Sequence, residues 1–194
     1  MASLDLWVIN QAFSELAEMY RGTCKYRCQL SINLSGQSLN DPYTLASYIE
    51  NKLEEYELDG HDICFEVTES VAIENLDEAA FFIKQIRDLG CKFSLDDFGT
   101  GLSSFSYLKN LGVDYLKIDG SFVRDILIDP VSESMVAAIN QVGQAMDLET
   151  IAEYVENDDI KKKLASIGVD YGQGFGIGKP TLFTQIRADL AKTA

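Results

Sequence analysis

The sequence predicts an α/β protein in which short parallel strands alternate with helices. Short and nearly continuous apolar runs recur along the 194 residues, as expected for strands that are buried on both faces. Amphipathic helical patterns separate these runs, which indicates crossover connections between parallel strands. About six strands can be recognised, so the pattern fits either a doubly wound open sheet or a (β/α) barrel with fewer than the usual eight strands.

The helices are predicted from apolar residues at helical spacing and from residues that favour helix ends. Leu6, Ile9 and Phe13 recur on one face of the first helix, and Gly22 ends it. Asp41-Pro42 is a start signal for the second helix. The predicted helices cover residues 4–20, 42–57, 76–89, 131–146, 157–167 and 182–192, with a short one that ends at Leu108.

The strands are predicted in the apolar runs that lie between these helices. They cover residues 29–34, 63–67, 92–95, 115–118, 149–152 and 169–171. Asp97–Gly101 is predicted to be a glycine-bearing turn after the third strand. In a barrel the carboxyl ends of all these strands meet at one rim, which is where barrel active sites lie.

Composition and charge restrict the classes of function. The chain has 46% hydrophobic residues and no composition break, which predicts one globular domain or most of a larger one. Its formal net charge of −15 disfavours DNA, RNA and anionic membranes as partners. No apolar run approaches the roughly 18 residues of a membrane span, and no leader peptide is visible. Nothing in the sequence indicates an oxidising compartment, so we expect reduced cysteines at positions 24, 28, 64 and 91.

Polar residues near the carboxyl ends of the predicted strands give the clearest functional signal. Each of them alone also fits an ordinary helix cap, turn or solvated strand end. Together they would place several like charges on one rim, which a cation would make tolerable. Carboxylate and amide oxygens without clustered His or Cys favour Mg²⁺ or Mn²⁺. The residues are Asn33, Glu66, Glu69, Asp96, Asp97, Lys117, Asp119, Glu153 and Gln173.

Asp96-Asp97 is the sharpest element of this pattern. At a strand-to-loop turn the second side chain can swing to the same side as the first, so that one carboxylate bridges two ions. Paired ions roughly 3.5–4 Å apart are a recurrent device for phosphodiester hydrolysis. Lys117 would add a fixed positive charge near the attacking water or the phosphoryl oxygens.

These residues stand in motifs that resemble the EAL family of cyclic di-GMP phosphodiesterase domains. The Asp96–Ser104 block matches the family's D-D-F-G-T-G-x-S-S loop and is the most specific of them. The other motifs, which resemble S-x-N-L-S, E-x-T-E, L-K-I-D, A-E-G-V-E and the closing Q-G-Y/F segment, are Ser31–Ser35, Glu66–Glu69, Leu116–Asp119, Ala152–Glu156 and Gln173–Phe175.

The resemblance implies a modified TIM-like (β/α) barrel that hydrolyses cyclic di-GMP to linear pGpG. It implies two Mg²⁺ or Mn²⁺ ions, inhibition by Ca²⁺, a homodimer, a bacterial cytoplasmic location, and flanking sensory or GGDEF domains. It assigns the metal ligands and the catalytic residues by motif. The ligands are Asn33, Glu66, Asp96 and Asp97; Lys117 positions the nucleophilic water, and Glu153 is the general base or a ligand of the second metal.

The same resemblance assigns supporting roles around the metal site. Glu69 anchors the 97–104 loop, which helps order the metal site and shapes the dimer face. Gln173 holds a water or contacts a guanine. The loop residues that belong to this group are Gly99, Thr100, Gly101 and Ser103.

Two departures from the family pattern bear on activity. The 194 residues contain no Glu-Ala-Leu string, so residues 1–194 are expected to be a single EAL-type domain that lacks its first two strands. We therefore expect poor hydrolysis by this chain, and a catalytically inactive module for cyclic di-GMP or protein binding stays open as the alternative. The second departure is Tyr154 in place of the family's glycine, where a ring either crowds the site or stacks on a base.

Overall fold

The computed structural model describes residues 2–21, 27–100 and 105–192, which form two compact units. The first unit contains Met1–Val67, Glu74–Phe93 and Thr181–Ala194. The second unit contains Thr68–Ile73 and Ser94–Pro180. In both units strands and helices alternate along the chain.

The described residues form six strands and nine α-helices in the alternating order that the sequence predicts. The strands are β1 (Leu30–Asn33), β2 (Ile63–Thr68), β3 (Lys92–Phe98), β4 (Tyr115–Ile118), β5 (Glu149–Ala152) and β6 (Tyr171–Gly172). The helices are α1 (Ala2–Arg21), α2 (Pro42–Tyr56), α3 (Glu69–Glu74), α4 (Leu76–Asp88), α5 (Leu108–Leu111), α6 (Gly120–Arg124), α7 (Pro130–Ala145), α8 (Asp158–Ile167) and α9 (Phe183–Lys192).

The first unit contains the parallel ladder of β1 and β2 and the helices α1, α2 and α4. The ladder runs from Leu30 opposite Ile63 to Asn33 opposite Glu66. Directly opposed residues of a parallel pair point to the same face of the sheet, because side chains alternate along each strand. The side chains of Asn33 and Glu66 therefore share one face at the carboxyl ends of these two strands.

Asp5 on α1 holds the segment that follows β1. Its carboxylate accepts hydrogen bonds from the backbone N–H of Ser35 at 2.9 Å, from Ser35 Oγ at 2.7 Å and from Ser38 Oγ at 2.5 Å. Burial raises the pKa of Asp5, but the hydrogen bonds from Ser38 and Ser35 outweigh burial and lower it overall. The ionised carboxylate therefore stabilises the folded state.

We expect Asp5→Asn to lower the free energy of unfolding at pH 7 by about 1–3 kcal/mol, because buried donors lose their charged acceptor. A lowered pKa in the folded state adds stability that is present above the unfolded-state pKa, near 3.8, and is lost as pH falls through the folded value. The difference between wild type and variant in urea denaturation should therefore shrink below about pH 4. Asp88→Asn, at an exposed position of the same unit, is the control; an equal loss there would contradict the assignment.

The second unit contains the parallel strands β3, β4, β5 and β6 in that order. β4 and β5 pair regularly from Tyr115 opposite Glu149 to Ile118 opposite Ala152. Helix α7 packs on these two strands, and its Ile139 is fully buried. Because parallel strands end at the same edge, the residues that follow β3, β4, β5 and β6 come together there.

Apart from shifts of one or two residues at element ends, the predicted elements differ from the observed ones at β3, β6 and the short helices. β3 continues to Phe98 instead of ending at residue 95, so Asp97 and Phe98 belong to the strand and not to the predicted turn, and β6 is Tyr171–Gly172 instead of 169–171. The short helix predicted to end at Leu108 is a 3₁₀ turn over Phe105–Tyr107 followed by α5, which ends at Leu111. Helices α3 and α6 were not predicted, because six and five residues are too few to show a helical period.

The described residues also bear on the membrane and cysteine predictions. None of the helices that they form combines the length and the apolar character of a membrane span. Cys64 and Cys91 are buried, and burial raises the pKa of Cys91 to about 12. Cys28 is exposed, while Cys24 lies outside the described residues.

Candidate active site

A β-bulge near the end of β3 carries the two adjacent aspartates. The pairing of β3 with β4 shifts register between Leu95 and Phe98, and Asp97 has a left-handed φ of 54°. The Asp96 carboxylate accepts a hydrogen bond from the backbone N–H of Asp97 at 3.0 Å, which holds this conformation. A bulge inserts an extra residue and re-aims a side chain, so that two consecutive carboxylates can serve one site.

Asp96 and Asp97 meet Glu153, which directly follows β5, in a compact acidic cluster. One carboxylate oxygen from each of the three residues lies within 4.8 Å of the others. All three residues are partly buried. Three oxygens at this spacing can hold one cation of the Mg²⁺ or Mn²⁺ kind.

Lys117 on β4 is the cation that balances part of this cluster. Its side chain is buried, with the residue only 2% exposed, and Nζ lies 2.9 Å from Asp96 Oδ1 and 2.9 Å from Glu153 Oε1. The register places Lys117 opposite Ile151. Glu153 lies two residues beyond Ile151, just after the end of β5, and therefore continues on the same face. Three carboxylates and one ammonium leave two negative charges, which one divalent cation would balance.

The remaining negative charge shows in the pKa values of two carboxyl groups. Burial raises the pKa of Asp97, and the carboxylates of Asp96 and Asp119 raise it further. Burial also raises the pKa of Glu153, although the hydrogen bond from Lys117 acts in the opposite direction. Both shifts mean that the ionised forms lack full compensation in the protein alone.

Glu69, in the first turn of α3, holds the start of the loop that follows β3. The residue is 3% exposed, and its carboxylate accepts hydrogen bonds from the Gly99 N–H at 3.1 Å and from the Tyr107 hydroxyl at 2.5 Å. Gly99 has a φ of +100°, a conformation that favours glycine. Thr100 Oγ1 donates to the Asp97 carbonyl at 3.1 Å and closes the turn.

Tyr107→Phe should lower the free energy of unfolding by about 1–3 kcal/mol, because the buried Glu69 carboxylate loses its hydroxyl donor. Amide exchange at Gly99, measured by NMR, should accelerate because its acceptor is no longer fixed. Tyr171→Phe is the matched control, since Tyr171 is 51% exposed and its hydroxyl also bonds a carboxylate, that of Glu149. Equal destabilisation by the two substitutions would contradict this role of Tyr107.

Gln173 stands after β6 and lines a cavity beside the acidic cluster. Its backbone N–H donates to the Ala152 carbonyl at 2.8 Å, and its carbonyl accepts from the Val155 N–H at 3.0 Å. These bonds fix Gln173 next to the segment that carries Glu153. The cavity has a volume of about 220 Å³ and is lined by Glu153, Tyr154, Glu156, Gln173, Gly174 and Phe175.

The other predicted site residues lie in the first unit or outside the described chain. Asn33 is exposed and Glu66 is buried, side by side on the face described above. Gly101 and Ser103 lie outside the described residues. In the second unit the structure brings together Asp96, Asp97, Lys117 and Glu153, with Glu69 holding the adjoining loop.

Two residues of the site were not assigned a role from the sequence. Tyr107 donates to Glu69, and Asp119 contacts Asp97 while it caps α6 through the Ser121 N–H at 2.8 Å. Asp119 was recognised as a polar residue at a strand end, two residues after Lys117, but without a role. Tyr107 gave no such signal, since an apolar helical pattern does not tell where a phenol hydroxyl points.

Comparison with known proteins gives concordant results. A family model described as the EAL domain matches residues 1–180. The cyclic di-GMP phosphodiesterase PdeB of Shewanella oneidensis is 39% identical over 183 residues, which cover 93% of this chain and 21% of that protein. The chain therefore spans about a fifth of that relative's length.

Two solved structures are similar in fold. The EAL domain of Mycobacterium smegmatis DcpA matches with a TM-score of 0.88 and 31% identity, covering 96% of this chain and 83% of that one. The FimX EAL domain from Pseudomonas aeruginosa, bound to c-di-GMP, matches with a TM-score of 0.84 and 28% identity, covering 92% of this chain and 70% of that one. The predicted α/β barrel fold class, with six strands among the described residues, is confirmed.

Proposed function

The chain belongs to the EAL domain family, and on that premise we propose that it is a cyclic di-GMP phosphodiesterase that releases linear pGpG with the help of two divalent metal ions. The observation that carries this proposal is the acidic cluster of Asp96, Asp97 and Glu153 around the buried ammonium of Lys117. The substrate is supported by a relative named a cyclic di-GMP phosphodiesterase and by a similar structure bound to c-di-GMP.

The donor set of the cluster fits a hard divalent cation. It offers carboxylate oxygens within 4.8 Å of one another, and no His or Cys of the described residues joins the group. The raised pKa values of Asp97 and Glu153 indicate a deficit of positive charge that such an ion would remove. Mg²⁺ and Mn²⁺ suit this site better than Zn²⁺, because their preferred ligands are oxygens.

The reaction adds water across one phosphodiester bond of the cyclic dinucleotide. Water attacks phosphorus, the bond from phosphorus to the 3′ oxygen breaks, and a proton reaches that leaving oxygen. Bound divalent ions would supply Lewis-acid stabilisation of the attacking and leaving oxygens. In this proposal Glu153 accepts the proton of the water, which its raised pKa supports, and Lys117 holds Glu153 and Asp96 in position through its two ion pairs.

We also propose Asn33 and Glu66 as metal ligands and Gln173 as a contact for water or guanine. The support for Asn33 and Glu66 is their motif resemblance and their shared face at the ends of β1 and β2. The support for Gln173 is its place in the wall of the cavity that also contains Glu153. Glu69 keeps its proposed role of anchoring the loop after Asp97, with its bond to the Gly99 N–H in support.

Further family properties stay predictions for this chain. They are a homodimer, flanking sensory or GGDEF domains, inhibition by Ca²⁺, a cytoplasmic location, and a single EAL-type domain over residues 1–194. The 194 residues contain no Glu-Ala-Leu string. We therefore propose that this polypeptide alone turns over more slowly than a family domain that contains the string.

The test is a single-turnover assay in which chromatography measures the release of pGpG from cyclic di-GMP. With enzyme in excess over substrate, even a low rate can be measured. We expect pGpG to form with Mg²⁺ or Mn²⁺ and not with EDTA or Ca²⁺. Binding of cyclic di-GMP in calorimetry without any pGpG would instead favour the alternative, a module that binds without hydrolysis. Turnover equal to that of a complete family domain would contradict the proposed impairment.

A further inference from the structure

We propose that Tyr154 is a stacking platform for one base of the bound cyclic dinucleotide, an inference that rests on the proposed function. Tyr154 directly follows Glu153 and has a left-handed φ of 53°, a conformation that a bulky residue rarely adopts. The family motif that Ala152–Glu156 resembles has glycine at this position, which adopts that conformation without strain. A strained residue beside a reactive group points to a task for its side chain.

The Tyr154 ring is held from one side by α6. A Cβ atom on Gly120 would lie only 2.1 Å from Cδ2 of Tyr154, so the ring lies directly against this glycine. The guanidinium carbon of Arg124 lies 4.8 Å from the ring centroid, which is a cation–π contact. Gly120 and Arg124 are four residues apart and share one face of α6. Contacts with two residues of α6 therefore support the ring and restrict its orientation.

Part of Tyr154 remains open to a ligand. Tyr154 is 50% exposed and lines the cavity of about 220 Å³ together with Phe175, which is 65% exposed. Glu153 of the acidic cluster lines the same cavity, so a base held there would be attached to a phosphodiester near the proposed metal ligands. An aromatic wall that is already fixed in place loses little freedom on binding, which increases its contribution to affinity.

The chemistry of the cavity suits a purine. Stacking of a base on an aromatic side chain is a recurrent source of affinity for nucleotides, and it tolerates differences among bases because each has a π face. Gln173 and Glu156 also line the cavity, and an amide and a carboxylate can both hydrogen-bond the polar edge of a base. A ring at position 154 therefore adds a contact that glycine there cannot provide.

Calorimetric titration with cyclic di-GMP in Ca²⁺, which is expected to prevent turnover, tests this role. Tyr154→Gly should raise the dissociation constant about tenfold, while Tyr154→Phe should stay within about threefold of wild type because the ring remains. Glycine accepts the backbone conformation, and thermal unfolding verifies that the variant is folded. Tyr43→Ala, at a tyrosine of the first unit that is 66% exposed, is the control and should bind as wild type does.

Gly120→Ala gives an independent test, because it disturbs the residue that supports the Tyr154 ring and leaves the ring itself in place. The added methyl group collides with Tyr154 and should weaken binding in the wild-type background, but it should add nothing in the Tyr154→Gly background. Unchanged affinity in Tyr154→Gly, or an equal loss in Tyr154→Phe, would overturn the inference while leaving the proposed function in place. Failure of the wild-type chain to bind cyclic di-GMP would overturn both.

Discussion

Lys117→Met is expected to reduce single-turnover hydrolysis of cyclic di-GMP by about 10²–10³-fold, because a fixed charge close to the reacting phosphodiester is removed. The same change leaves Asp96 and Glu153 facing each other without the ammonium that lies 2.9 Å from both. Breaking a buried ion pair by removing one partner costs about 3–5 kcal/mol, so the metal-free variant should also unfold at a lower temperature.

A matched surface substitution separates the site from a general effect of losing a lysine. Lys163 lies in the same unit, and its ammonium pairs with Glu133 at a more exposed position. An exposed pair contributes about 0–1 kcal/mol, so Lys163→Met should change neither stability nor turnover appreciably. Mg²⁺ should restore the thermal stability of Lys117→Met without restoring turnover. Recovery of both by Mg²⁺ would show that Lys117 acts only in folding.

Asp97→Asn should have opposite effects on activity and on the stability of the metal-free protein. Asparagine tolerates the left-handed φ of 54° and preserves the shape of the side chain, so the bulge should persist. Losing a charged ligand should reduce turnover by about 10²–10³-fold and weaken Mg²⁺ binding. Burial and the carboxylates of Asp96 and Asp119 raise the pKa of Asp97, which means that its ionised form destabilises the fold at neutral pH.

The thermal unfolding temperature of metal-free Asp97→Asn should therefore exceed that of the wild type at pH 7. The gain should shrink as pH falls through the raised pKa, because the wild-type carboxyl then becomes neutral. Saturating Mg²⁺ should reverse the order of stability, since it binds the wild type more tightly. Asp125→Asn, at an exposed position of the same unit, is the control. A metal-free variant less stable than the wild type would contradict this account of the charge balance.

The fold could be predicted because its signals are local. Short apolar runs, helical periodicity and end signals such as Asp41-Pro42 define most elements within a few residues. Asp41 does cap α2, accepting from the Thr44 N–H at 3.2 Å. The short helices α3 and α6 could not be predicted, because their positions depend on the turns after β2 and β4 rather than on their own periodicity.

The sequence allowed the residues of the site to be predicted, but not the contacts between them. Two adjacent aspartates, Asp96 and Asp97, indicate an unusual strand end in the sequence. Only the register shift of β3 shows how both carboxylates come to lie in the same acidic cluster. Likewise, the ion pair between Lys117 and Glu153 depends on the register of β4 and β5, which cannot be predicted from local sequence patterns. Tyr154 was recognised as a departure, but its support by Gly120 and Arg124 is a tertiary contact.

The most direct test of metal binding by the acidic cluster is a titration of the protein with Mn²⁺, in which electron paramagnetic resonance measures the concentration of the free ion. The account predicts saturable binding by the wild type and an affinity at least about tenfold lower for Asp97→Asn, because the charge of the ligand set governs affinity. Equal Mn²⁺ binding by the two proteins, or no saturable binding by the wild type, would contradict it.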